Sequence, residues 1–211
     1  MRTIYKGAEP LSLIEYRAAG NTSYEDYRDK DDLRASLVSE QRGLCCYCLS
    51  RIKAESGQMR IEHWHSQAAH PLEQLAYSNL LGACAGAEGQ PWNNQHCDVR
   101  KRERDLSRNP AHQPPRVEDL VHFLGDGRVR SDDQGFDQEL RDVLNLNVPF
   151  LVNERKAVLD AFKRTLNKRG NLGRKTLEKW LQDWNGDSHT GELRPFCQVI
   201  VYWLRKRLSR A

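Results

Sequence analysis

The residues of this chain best suited to chemistry crowd into one stretch, in the order Cys45, Cys48, Glu62, His63, Asn79, Cys84, Cys97, Asp98 and Lys101. Two residues separate Cys45 from Cys48, so one tight turn can aim both sulfurs at a single ion. Zinc takes four such ligands in a tetrahedron. Cys84 and Cys97 are the natural second pair, joined by a wider loop, and His96 is an alternative to Cys97. Four thiolates leave no open position for water, so such an ion would be structural. Cys46 lies inside the knuckle and should point elsewhere. Cys197 sits on an apolar stripe and reads as an ordinary buried thiol.

Between the cysteine pairs lies Arg60-Ile61-Glu62-His63-Trp64-His65. A carboxylate beside a histidine offers a hard oxygen for a divalent ion and an imidazole that can take a proton from water. Phosphodiester hydrolysis uses both: an activated nucleophile, and a cation against the charge on phosphate and leaving oxygen. Asp98 would supply a second oxygen ligand if the cysteines fold its helix over the strand. Asn79 could hold the loop after His63, and Lys101, a helical turn past Asp98, could meet a phosphate. Each has a plainer role as well. An Asp at a helix start is commonly an N-cap, an Asn before an apolar strand is commonly a turn residue, and Arg100 to Arg104 can be a solvated face. The combination carries the signal.

These groups need elements to position them. A short helix is expected over 11–17. A second, capped by Asp31 or Asp32, should run through Leu33, Leu37 and Val38 to Gln41 and end at Gly43. Short strands are expected near 49–53, 59–63 and 80–83, and a charged helix from Asp98 holding Arg100 to Arg104. The stretch 85–95 reads as loop and 107–116 as linker. Gly125-Asp126-Gly127 marks a hairpin. Beyond it, Leu151 to Leu166, then Leu177, Trp180, Leu181 and Trp184, then Phe196 to Leu204 follow helical spacing and read as core-facing stripes. Lys163, Arg164, Lys168, Arg169, Arg174 and Lys175 form a loose basic patch. It suits a phosphate backbone, an exposed face or a partner-docking surface.

Hydrophobic residues make up 38% of the 211, charged residues 29%, and the net charge is +4. So low an apolar share suggests a core helped by a metal. No long apolar run suggests a membrane span or a secretory leader, which points to a cytoplasmic location and reduced cysteines.

The ordered set CxxC, Glu-His, Asn, Cys, Cys-Asp, Lys resembles the zinc-stapled HNH (ββα-metal, His-Me finger) endonucleases. That resemblance implies His63 as general base, Glu62 and Asp98 as ligands of a catalytic Mg2+ or Mn2+, Asn79 as loop support, and Zn2+ on Cys45, Cys48, Cys84 and Cys97. Asp98 stands where Asn or His is commoner, and Ser66 where a Pro is common. Met1 to Pro10, Glu40 to Cys48, Ile61 to Trp64, Leu144 to Asn147, Arg155 and Pro195 to Leu208 look further like the PtuB family of HNH proteins in Septu-type and retron-associated antiphage systems. It implies a defence effector acting on nucleic acid, DNA ahead of RNA. An ABC- or SMC-like ATPase of the PtuA type would be its partner, with a reverse-transcriptase–DNA complex in retron systems. The expected fold is α+β and mainly helical. Residues 1–110 would form the nuclease domain and 111–211 a helical region that packs on it and docks the partner. The alternative is a zinc-stabilised binding or interaction module without catalysis.

Overall fold

The computed structural model describes residues 1–112, 114–170 and 172–210. Gln113, in the expected linker, and Asn171 and Ala211, in the expected helical region, lie outside the described residues. Helix α1, Leu11–Ala18, starts directly after Pro10, and α2 covers Lys30–Glu40. The second helix begins a turn before the expected cap: Asp29 precedes it without a side-chain cap bond. Its buried face is Leu33 and Leu37. Gly43, at φ +75, turns the chain out of the helix in a conformation that favours glycine.

The knuckle follows. Cys45 N–H donates to Ser50 O (2.9 Å) and Leu49 N–H to Cys45 O (3.2 Å). Leu49 takes φ +70, which closes the turn. The strand expected over 49–53 does not form for this reason; only an isolated bridge joins Leu44 to Arg51.

Strand β1, Arg60–His63, pairs antiparallel with β2, Leu80–Ala83, placing Arg60 opposite Ala83, Glu62 opposite Leu81 and His63 opposite Leu80. All four β2 residues are buried. The far edge of β2 is covered rather than exposed. Gln41 accepts from Gly82 N–H (2.6 Å) and donates to Gly82 O (2.8 Å) and Leu44 O (2.8 Å), and Cys46 N–H donates to Gly82 O (2.9 Å). A Cβ at Gly82 would come 3.0 Å from Ile52 Cδ1 and 3.1 Å from Gln41 Nε2, so a side chain there would press on this clamp.

Helix α3 is shorter than the expected charged helix, spanning only Cys97–Lys101. Arg102 at φ +52 stops it. Residues 107–112 are tied down, unlike a free linker: Pro110 O accepts from Ile4 N–H (2.9 Å), Ser107 N–H donates to Glu139, and Asn109 is buried. Helix α4, Val117–Leu120, leads into the expected hairpin, β3 His122–Phe123 with β4 Val129–Arg130. Helix α5, Gln134–Gln138, runs on as a wider π turn over Glu139–Val143.

Three longer helices follow. Helix α6, Pro149–Arg169, starts with proline in its first turn and buries Leu151, Arg155, Leu159, Phe162 and Leu166. Helix α7, Arg174–Asn185, ends on left-handed Gly186, and α8 spans Cys197–Leu208. The predicted stripes meet at Phe162, whose ring lies edge-on to Trp180, Trp184 and Trp203 at 5.5, 5.8 and 5.6 Å. Such pairs contribute about 0.5–1.5 kcal/mol each beyond their burial. One continuous apolar cluster runs from Leu13 through the cysteines to Leu204. Backbone bonds from Leu193 to Arg42 (3.0 Å) and from Phe196 to Leu49 (3.0 Å) lock the C-terminal part onto the knuckle. The fold is α+β. No helix among the described residues is long and apolar enough to cross a membrane.

Candidate functional site

Cys45 and Cys48 come from the knuckle, Cys84 from just past β2, and Cys97 from the first turn of α3. All four are buried and free, and their sulfurs lie within 4.8 Å of one another. Cys45 Sγ is 3.9 Å from Cys97 Sγ, and Cys48 Sγ is 3.7 Å from Cys84 Sγ. A tetrahedral ion with metal–sulfur bonds of about 2.3 Å sets neighbouring sulfurs about 3.8 Å apart. The donor set therefore fits a structural metal such as zinc. Arg155, 1% exposed, feels the charge of Cys48 and Cys97, though burial lowers its pKa to about 10. A cation there offsets the net negative charge of four thiolates around a dication. Cys97 takes the fourth place, and His96 sits beside it, with Nδ1 3.3 Å from Cys97 Sγ. Cys46 stays outside the cluster, and Cys197 is a buried thiol at the start of α8, both as expected.

A cleft of about 480 Å³ opens beside this cluster, lined by Arg60, Glu62, His63, Asp98, Arg102 and neighbours. Arg60 and Glu62 share one face of β1, since strand side chains alternate. Asp98 arrives from α3 and accepts from Arg60 Nε at 2.5 Å. Glu62 is 1% exposed, accepts from Tyr47 Oη at 2.6 Å, and lies 2.9 Å from Lys101 Nζ. Burial pushes the Glu62 carboxyl well above the usual range, and the Asp98 charge adds to this. Burial works on Asp98 in the same direction, but bonds from Glu62 and Arg60 outweigh it and hold Asp98 below its ordinary value. Burial and the neighbouring charge thus push the two carboxyls apart, Glu62 up and Asp98 down.

His63 ends β1, 7% exposed, with Tyr24 packed edge-on at 4.5 Å. Its Nε2 lies 2.9 Å from Gln74 O. A carbonyl only accepts, so Nε2 carries the proton and Nδ1 is the basic nitrogen. Burial lowers the imidazole pKa, which keeps the ring neutral near pH 7. Asn79 holds the loop after β1: Oδ1 accepts from His65 N–H (2.8 Å), and Nδ2 donates to His65 O (3.0 Å) and Glu73 O (3.3 Å).

Lys101 corrects its expected phosphate contact. It is fully buried, donates to His63 O (2.9 Å) and pairs with Glu62. It stands four residues after buried Cys97, on the same face of α3, and so turns inward against β1. Arg60 and Arg102 are the cations that line the cleft instead. Arg60, Tyr47 and Gln74 were missed as site residues. Only Arg60 left a trace in sequence, two positions before Glu62 on the same strand face. No family model matches the chain, and no curated protein matches it.

Proposed function

We propose that this chain is a metal-dependent endonuclease of the HNH type, acting on nucleic acid as the effector of a Septu- or retron-type antiphage system. The observation that carries the reading is the Glu62–Asp98 carboxylate pair beside neutral His63 in one solvent-reached cleft, framed by four clustered thiols. His63 Nδ1 accepts the proton of the attacking water, while Gln74 O holds the ring through Nε2. Tyr47 and Lys101 orient Glu62, and Arg60 orients Asp98, so that both carboxylates face one point. A divalent cation held by Glu62 and Asp98 supplies charge neutralisation at the phosphate and leaving oxygen. Arg102 adds positive charge at the mouth of the cleft. The expected ATPase partner of the PtuA type would dock on the helical half, where Arg164, Lys168, Arg169, Arg174 and Lys175 are exposed.

One observation favours the non-catalytic reading, a zinc-stabilised interaction module: the closed ion pair of Glu62 with Lys101, both 1% exposed. Co-expression with an adjacent ATPase, followed by sequencing of nucleic-acid ends in phage-infected cells, separates the two. The nuclease reading expects new ends and phage protection with the wild-type chain, and neither with His63→Ala. Equal protection by both chains sinks it.

A further inference from the structure

The loop joining β1 to β2 carries a second constellation that the nuclease reading does not use. His65 follows the strand, and His70 and Glu73 flank the 3-10 turn at Pro71–Glu73. One ligand atom from each of the three lies within 4.8 Å of the others. His65 Nδ1 is 2.7 Å from Glu73 Oε2. The His70 ring stacks on that of His65, with centroids 4.3 Å apart and planes at 19°. The side chains are 29%, 33% and 44% exposed for His65, His70 and Glu73, so an ion could enter from solvent and keep water ligands.

The surroundings hold these donors in place. Asn79, 4% exposed, ties the His65 and Glu73 backbones together. Asp105 accepts from Ser66 N–H (3.0 Å) and lies 2.8 Å from His70 Nε2. Ser66 O accepts from His70 N–H at 2.9 Å. A carboxylate bonded to one nitrogen of an imidazole is the usual support for a metal-ligating histidine. We propose that His65, His70 and Glu73 form a second metal site, for a borderline divalent ion of the zinc class, oriented by Asp105 and Asn79. Imidazole with one carboxylate suits zinc, cobalt, nickel and copper better than magnesium. The ion would also steady Gln74, next to Glu73, whose carbonyl holds His63. The site's existence does not depend on whether the chain cuts nucleic acid.

The test is metal counting on the full chain after equilibrium dialysis against micromolar zinc. Wild type should hold two zinc ions, one on the four thiols and one here. His70→Ala and Glu73→Gln should each hold one, with at least a tenfold weaker second site and unchanged circular dichroism. Glu62→Gln should keep two. With cobalt, the second equivalent should absorb without thiolate charge-transfer bands. A single zinc in wild type overturns the proposal. So does a second zinc that survives both His70→Ala and Glu73→Gln, or one that is lost in Glu62→Gln. Should either loop variant misfold, the other and the cobalt spectrum still decide.

Discussion

Replacing Lys101 with methionine keeps the length of the side chain and removes its charge. The ammonium lies 2.9 Å from Glu62 Oε1 and 2.9 Å from His63 O, and both side chains of the ion pair are 1% exposed. Removing one partner of such a buried pair costs about 3–5 kcal/mol. Tyr47 Oη still donates to Glu62 in the variant, which places the cost near the lower end, about 3 kcal/mol. For a chain of 211 residues, that corresponds to a fall in melting temperature of about 6–12 °C. The pH dependence has a definite sign. The folded-state pKa of Glu62 is raised by burial, and Lys101 pulls it down. Without Lys101 it climbs further. A carboxyl whose folded pKa is raised destabilises the fold as pH rises above its unfolded pKa, until the folded one is passed. The deficit of Lys101→Met should therefore be smaller near about pH 5 than near about pH 8. Thermal melts at both values, with zinc held constant, measure it. A variant within about 1 °C of wild type at the higher pH, or a larger deficit at the lower one, would refute the closed arrangement of Glu62 and Lys101.

Three further outcomes are expected. Cys84→Ser should lose the thiol-bound zinc and unfold the region around β1 and β2, because apparent zinc binding of about 10–16 kcal/mol is folding energy in such sites; unchanged zinc content and melting would remove Cys84 from the ligand set. Asn79→Ala leaves three backbone groups without their partner and should cost about 3 kcal/mol, at roughly 1 kcal/mol per buried group, which denaturant titration reads directly. Arg155→Leu removes donors to Gly127 O and Leu146 O, each at 2.6 Å, and should cost about 2–4 kcal/mol while weakening zinc binding in a chelator competition.

Much of this architecture was legible because its signals are local. The CxxC turn and the apolar run Leu80–Ala83 form where their spacing places them, and the stripes through Phe162, Trp180 and Trp203 do meet as core. Other features depend on single backbone angles that no residue type announces. Leu49 at φ +70 turns an expected strand into the closure of the knuckle, and Arg102 at φ +52 ends α3 after one turn. Lys101, on the face of α3 that carries buried Cys97, turns inward to Glu62 rather than to a phosphate. The His65, His70 and Glu73 cluster has no period at all, because an irregular loop brings its members together. Glu62 and Asp98 were expected at one site and both line the same cleft, but the burial of Glu62 against Tyr47 and Lys101 is something sequence does not give.

The central claim is that His63 activates water in the cleft that holds Glu62 and Asp98. Its most direct test is cleavage of labelled DNA and RNA by the purified chain with the proposed ATPase partner and Mn2+, comparing wild type with His63→Ala at equal zinc content. The account predicts cleavage by wild type and a loss of about a hundredfold or more for the variant, the usual contribution of a general base. Cleavage at the wild-type rate by His63→Ala, or none by either chain, would contradict it.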